Sequence, residues 1–113
     1  MWWWVYMNEN LDIQIKDLAE KIASNKFHAE NLKLNVDRKI TGKEFNAIKE
    51  HIKQYSDYYK ISTRNYKNNR KLYLFYKFFF KNNQQIEITF IHIYESPFMF
   101  LRYIRVKSLN KGE

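Results

Sequence analysis

The stretch KNNRKLYLFYKFFFKNN, Lys67–Asn83, sets two copies of Lys-Asn-Asn around eleven residues that are mostly aromatic or aliphatic. Crossing a bilayer as a helix takes about 20 apolar residues, so this stretch is too short to span one. Read by parity, it is a strand. The even positions Leu72, Leu74, Tyr76, Phe78 and Phe80 make a wholly apolar face. The odd positions Lys71, Tyr73, Phe75, Lys77, Phe79 and Lys81 interleave lysines with aromatic rings. Period two with one apolar side marks a half-buried strand. Asparagine tolerates left-handed backbone and hydrogen-bonds its own turn, so both Lys-Asn-Asn copies read as turns at the strand ends.

The same texture surrounds it. Segments 60–66, 71–81, 85–94 and 98–107 are rich in β-branched and aromatic residues, which suit a pleated surface. Asn68-Asn69, Asn82-Asn83 and Ser96-Pro97 separate them. The expectation is a four-stranded antiparallel meander.

Upstream the period changes. Leu11, Ile15, Leu18, Ala19 and Ile22 fall on one helical face, with Asp12, Lys16, Asp17, Glu20 and Lys21 off it. This predicts a helix over about 10–24, capped by Asn8 or Asn10 and ending near Asn25. Leu32, Leu34 and Val36 alternate with polar neighbours, which predicts a short strand over 31–36. Thr41 and Glu44 have capping-box spacing, flanked by Ile40 and Phe45 as a hydrophobic staple. Phe45, Ile48, Ile52, Tyr55 and Tyr59 then form an apolar stripe, and the helix should run over about 42–57. MWWWVYM at the start is apolar and reads as a first strand over 2–7; Met7 is an alternative start. It has neither the basic start nor the small-residue cleavage site of a signal peptide. The predicted fold is α+β: two helices on one face of a mainly antiparallel four- to five-stranded sheet, in one domain over 1–113.

Composition narrows the chemistry. The 113 residues include no cysteine, which removes disulfides, thiolate nucleophiles and cysteine zinc sites. Gly42 and Gly112 are the only glycines. Phosphate-cradling loops need several, so Walker, Rossmann and kinase loops are absent. The histidines His28, His51 and His92 are scattered, with none of the clustering that metal ligation requires. No cofactor, metal or catalytic residue is expected, and the balance is against an enzyme. Lys, Asn and Ile make up about a third of the chain. That composition accompanies AT-rich coding, and small proteins of this kind are common in phages and mobile elements. A cytoplasmic protein without a membrane segment is expected.

The net charge of +8 is one-sided. Residues 1–57 hold nine Lys/Arg and nine Asp/Glu, whereas 58–113 hold eleven and three. Fourteen of the 21 aromatic residues lie in the second part. Such asymmetry predicts attraction to polyanions. Bases stack on aromatic faces for about 1–3 kcal/mol each while cations track phosphates, so a sheet face with both suits single-stranded DNA or RNA. The candidate binding residues are Arg64, Tyr66, Lys67, Arg70, Lys71, Tyr73, Phe75, Lys77, Phe79, Lys81, His92, Tyr103 and Arg105, with Tyr94 beside His92. The partner is nucleic acid or a nucleoprotein complex. A structural reading stands beside this one: the same rings lie under the N-terminal strand or in a homodimer interface, with the lysines reaching to water.

Three further readings remain. The order of elements, with RKLYLFYKF and IEITFIHIY as strands, resembles the small mRNA-cleaving toxins of the RelE–ParE superfamily. That resemblance would make Arg64, Lys67, Arg70, Lys77, His92 and Tyr94 the candidates for RNA cleavage. The strand between the two helices departs from its pattern. A winged-helix reading would put the capped helix in a major groove and the Lys67–Lys71 turn in the wing, but Glu44 and Glu50 leave that helix without positive charge. The last reading is an inhibitor of a host nucleoprotein, such as a CRISPR effector, that uses the basic face.

Overall fold

A computed structural model of the protein describes residues 11–27, 31–66 and 70–108. The elements in chain order are helix α1 (Leu11–Ala23), strand β1 (Asn31–Ile40), helix α2 (Gly42–Tyr55), and strands β2 (Tyr58–Tyr66), β3 (Lys71–Phe79), β4 (Gln84–Ile93) and β5 (Met99–Ser108). The strands form one antiparallel sheet in the order β1-β5-β4-β3-β2. The fold is α+β, with two helices packed against one sheet. The meander β2 to β5 uses local hairpins, and β1 closes the far edge against β5.

The helices cover one face. Leu11, Ile15, Leu18, Ala19 and Ile22 of α1 are buried, as are Ile48 and Ile52 of α2. Opposite them lie Tyr76 and Phe78 of β3, Ile86, Ile88 and Phe90 of β4, and Leu101, Ile104 and Val106 of β5. Each fully buried aliphatic or phenyl side chain contributes roughly 1.5–3 kcal/mol. The rings meet edge-on at the centre: Phe45 and Tyr76 approach Phe90 at 4.8 and 5.6 Å, with interplanar angles of 88° and 90°.

Local chemistry fixes the ends. The Glu44 amide donates to Thr41 Oγ1 (3.1 Å), and the Thr41 amide donates to Glu44 Oε1 (3.0 Å). Arg38 Nη2 donates to the other oxygen of the same carboxylate at 3.1 Å. At the end of α1, Asn25 is left-handed (φ 61°). Its amide donates to the Ile22 carbonyl, and the Lys26 amide to that of Lys21, which together satisfy the last turn.

Several expectations shift. α2 stops at Tyr55, because Ser56 turns to extended backbone and β2 begins at Tyr58; Tyr59 therefore belongs to the sheet. β1 runs on to Ile40, past a bulge between Asn35 and Arg38. Asp37, at φ 46°, takes up the extra residue. β3 ends at Phe79, and Lys81 lies in the turn rather than on the strand. That turn is the second Lys-Asn-Asn copy: Phe80 donates to the Gln84 carbonyl, and Asn83 sits at φ 65°. The expected N-terminal strand with Trp2, Trp3 and Trp4, the Asn8 or Asn10 cap, His28, Lys67 and the Asn68-Asn69 turn lie outside the described residues.

Candidate functional site

The second face of the sheet carries no helix among the described residues. Register decides which side chains share it. Along β3 these are Lys71, Tyr73, Phe75, Lys77 and Phe79. Across β2 they face Tyr66, Arg64, Ser62, Lys60 and Tyr58, and across β4 they face Ile93, Ile91, Thr89, Glu87 and Gln85. β5 adds Tyr103 opposite Thr89, Arg105 opposite Glu87 and Lys107 opposite Gln85. On β2, β3 and β5 the face is rich in aromatic rings and cations, stepping about 7 Å along a strand and about 4.8 Å across strands, while Gln85, Thr89 and Ile91 of β4 are buried within it.

The rings are ordered by one another. Tyr58 stacks on Phe79, with centroids 4.8 Å apart and planes 11° from parallel. Tyr73 stands edge-on to Tyr66 at 4.9 Å and roughly parallel to Phe75 at 6.2 Å. Lys60 Nζ lies 5.7 Å from the Phe79 centroid, and Lys33 Nζ lies 4.6 Å from that of Tyr103. A hydrogen bond with Tyr66 raises the pKa of Arg64.

Charge divides the face in two. Glu87 is 13% exposed at its side chain and sits among cations, with Arg105 Nη1 at 3.9 Å and Lys107 Nζ at 3.8 Å. Gln85 Nε2 also donates to it. Arg105 Nε is buried with no hydrogen-bond partner among the described residues. On the β2–β3 side, none of Lys60, Arg64, Lys71 and Lys77 is in an ion pair among the described residues. Free positive charge is thus concentrated there, beside Tyr66, Tyr73, Phe75 and Phe79.

Two shallow depressions cross this face. One, of about 270 Å³, is lined by Ser62, Arg64, Phe75, Lys77, Glu87, Thr89 and Tyr103 among others. The second, of about 320 Å³, is lined by Asp37, Lys71, Tyr73, Ile91, Ile93, Phe100 and Arg102. Both lie near the lower end of the ~300–1,000 Å³ usual for small-molecule pockets. Both are open, so the surface is a platform with dimples rather than a cleft.

The sequence-derived residues separate accordingly. Arg64, Tyr66, Lys71, Tyr73, Phe75, Lys77, Phe79, Tyr103 and Arg105 share the outer face. His92 does not: it pairs with Leu72 and Met99, on the parity of Phe90, and so projects to the helix side. Arg70 lies in a turn, with Nη2 2.6 Å from Glu95 Oε2 and its guanidinium over the Tyr94 ring. The Arg64, Arg70, Lys77, His92 and Tyr94 set of the toxin resemblance is thus not gathered on one face. Lys60, Lys33, Lys107 and the dimple residues Ser62 and Thr89 were missed. Their place on this face follows from strand register, which single-strand parity does not contain. His51 Nε2 lies 3.8 Å from Asp12 Oδ2, between the helices. No group of three or more His, Cys, Asp or Glu suited to a metal occurs among the described residues. No described helix is long and apolar enough to cross a membrane.

No family model and no curated protein matches the chain. Among solved structures, it is similar to the thermo- and acido-stable ORF-99 from the archaeal virus AFV1. The TM-score is 0.51 at 9% identity, over 88% of this chain and 96% of that one. It is also similar to ORF14 from Sulfolobus islandicus filamentous virus, with a TM-score of 0.45, 14% identity and 82% of each chain covered. The first likeness shows a shared fold; the second is too distant for anything to rest on it.

Proposed function

We propose that the protein binds single-stranded nucleic acid on the outer face of its sheet, without catalysis, and that it is a small protein of viral or mobile-element type. The observation that carries the binding reading is the β2–β3 surface. There four cations without ion pairs among the described residues, Lys60, Arg64, Lys71 and Lys77, lie among the rings of Tyr66, Tyr73, Phe75 and Phe79. Phosphates would meet these cations, and bases would meet the exposed ring of Tyr66 and the half-buried rings of Tyr73 and Phe75. The fold shared with a protein of an archaeal virus supports the viral side of the reading.

The test is fluorescence anisotropy with labelled single-stranded DNA and RNA homopolymers over a series of salt concentrations. Log affinity should fall linearly with log salt, at about −0.7 per phosphate neutralised. Lys77→Glu should weaken binding to every sequence alike. Absence of any binding at low salt would overturn the reading and leave the basic face to a protein partner.

A further inference from the structure

β2 is a bare edge. Among the described residues it pairs with β3 alone, through nine consecutive residue pairs without a bulge. All nine of its residues are exposed, and it contains neither proline nor glycine. Tyr58, Tyr59 and Ile61 are 54%, 39% and 46% exposed. The opposite edge, β1, is interrupted by its bulge and left-handed Asp37. A long, regular edge, here with apolar Tyr58, Tyr59, Ile61 and Tyr66 set among polar residues, presents unpaired amides and carbonyls that template another strand.

We propose that β2 pairs antiparallel with β2 of a second copy, about a two-fold axis through Ile61, joining two five-stranded sheets into one. Side-chain complementarity selects the occupant and the register. With the axis at Ile61, Tyr58 meets Arg64, Tyr59 meets Thr63, Lys60 meets Ser62, and Ile61 meets itself. Every cation then faces a ring or a hydroxyl; Tyr58, Tyr59 and Ile61 fall inside the paired segment, and the fourth exposed apolar side chain, Tyr66 (40%), lies beyond it. An axis at Ser62 sets Lys60 against Arg64, and an axis at Lys60 sets two lysines together; like charges directly opposite are destabilising. An axis at Thr63 leaves Tyr58 and Tyr59 beyond the pairing. The contact is isologous, so it closes as a dimer rather than growing a fibre. It is also smaller than an obligate interface, so its affinity is modest.

The proposal does not depend on nucleic acid. Each copy carries +8, so salt that screens their repulsion tightens the dimer, the reverse of its effect on nucleic-acid binding.

Sedimentation equilibrium of the full chain, without nucleic acid and at rising sodium chloride, tests it. A concentration-dependent monomer–dimer equilibrium that tightens with salt is expected. Ile61→Lys puts two charges together at the axis and should weaken association at least tenfold. Ser62→Glu sets a carboxylate opposite Lys60 of the second copy and should tighten it about threefold. Ile13→Lys, at an exposed position of α1 (56%), should leave it unchanged. Amide exchange of the unmodified chain is an independent readout: β2 amides should gain protection as concentration rises. A monomer at every salt and concentration, a dimer indifferent to Ile61→Lys, or weakening by Ser62→Glu would each overturn the proposal.

Discussion

Asn82 Nδ2 donates to the backbone carbonyl of Ile22 at 2.7 Å, from a residue 60 positions further along the chain. The same amide donates to Asn25 Oδ1 at 3.0 Å, and Asn82 Oδ1 accepts from the Gln84 amide at 3.2 Å. One turn side chain therefore completes the end of α1 and shapes the β3–β4 hairpin. Asn82→Ala removes these three bonds, while the Ile22 carbonyl keeps the Asn25 amide. It should cost about 0.5–1.5 kcal/mol, read as a lower urea midpoint at unchanged slope. A change within experimental error would show that the clamp contributes nothing.

The start of α2 offers a second test. Thr41→Ala removes one half of the capping box and should destabilise the fold by about 1 kcal/mol. Arg38 holds the same Glu44 carboxylate, so a double-mutant cycle between Arg38→Ala and Thr41→Ala should show coupling through Glu44. Strict additivity in urea denaturation would disprove it.

On the outer face, Phe75→Ala and Tyr73→Ala should each weaken oligonucleotide binding by roughly 5- to 150-fold. That range corresponds to ~1–3 kcal/mol per stacked base. The salt slope should stay unchanged, because a ring neutralises no phosphate. Lys71→Gln should do the opposite, flattening the slope with a smaller loss at high salt.

Glu87→Gln releases Arg105 and Lys107 from their shared carboxylate. Binding at low salt should tighten and its salt dependence should steepen. Weaker binding would mean that Glu87 positions those cations rather than masking them. Anisotropy titration separates the two outcomes.

Alkaline stability isolates Tyr76. Burial raises its pKa, so the folded state keeps a proton that the unfolded chain releases above about pH 10. Its stabilising contribution is full below that value and is lost as pH rises through the folded pKa. Lys49, whose pKa burial lowers, works in the other sense: the folded state gives up its proton first, and stability rises with pH through that window. Tyr76→Phe removes the first effect alone. Its melting temperature should fall less steeply above pH 10 than that of the unmodified chain.

Much of this architecture was legible because each local signal agreed with burial. The stripe Leu11, Ile15, Leu18, Ala19, Ile22 and the parity of Tyr76, Phe78 and Phe80 are direct imprints of the core. The capping box is written in two residues and needs no tertiary context. What could not be read was pairing. His92 stands among the candidate residues for the outer face, yet lying opposite Leu72 it projects to the helix side. The bulge at Asp37 was invisible for a similar reason: it answers the partner strand, where Arg102 alone faces the interval between Asn35 and Arg38. The pairing of Arg70 with Glu95 joins two turns distant in sequence, and no local pattern announces it.

Among the described residues no helix covers the outer side of the sheet, where the β3 side chains are half-buried or exposed although Gln85, Thr89 and Ile91 of β4 are buried, and this bears on how the protein can change. At Lys71, Tyr73, Phe75 and Lys77, substitution alters what the surface presents while the intervening Tyr76 and Phe78 keep holding the core. Every second letter of β3 can thus drift under selection by whatever the face meets, while its neighbours stay fixed by packing. A lineage could thus rewrite its contacts along this strand without inventing a new fold.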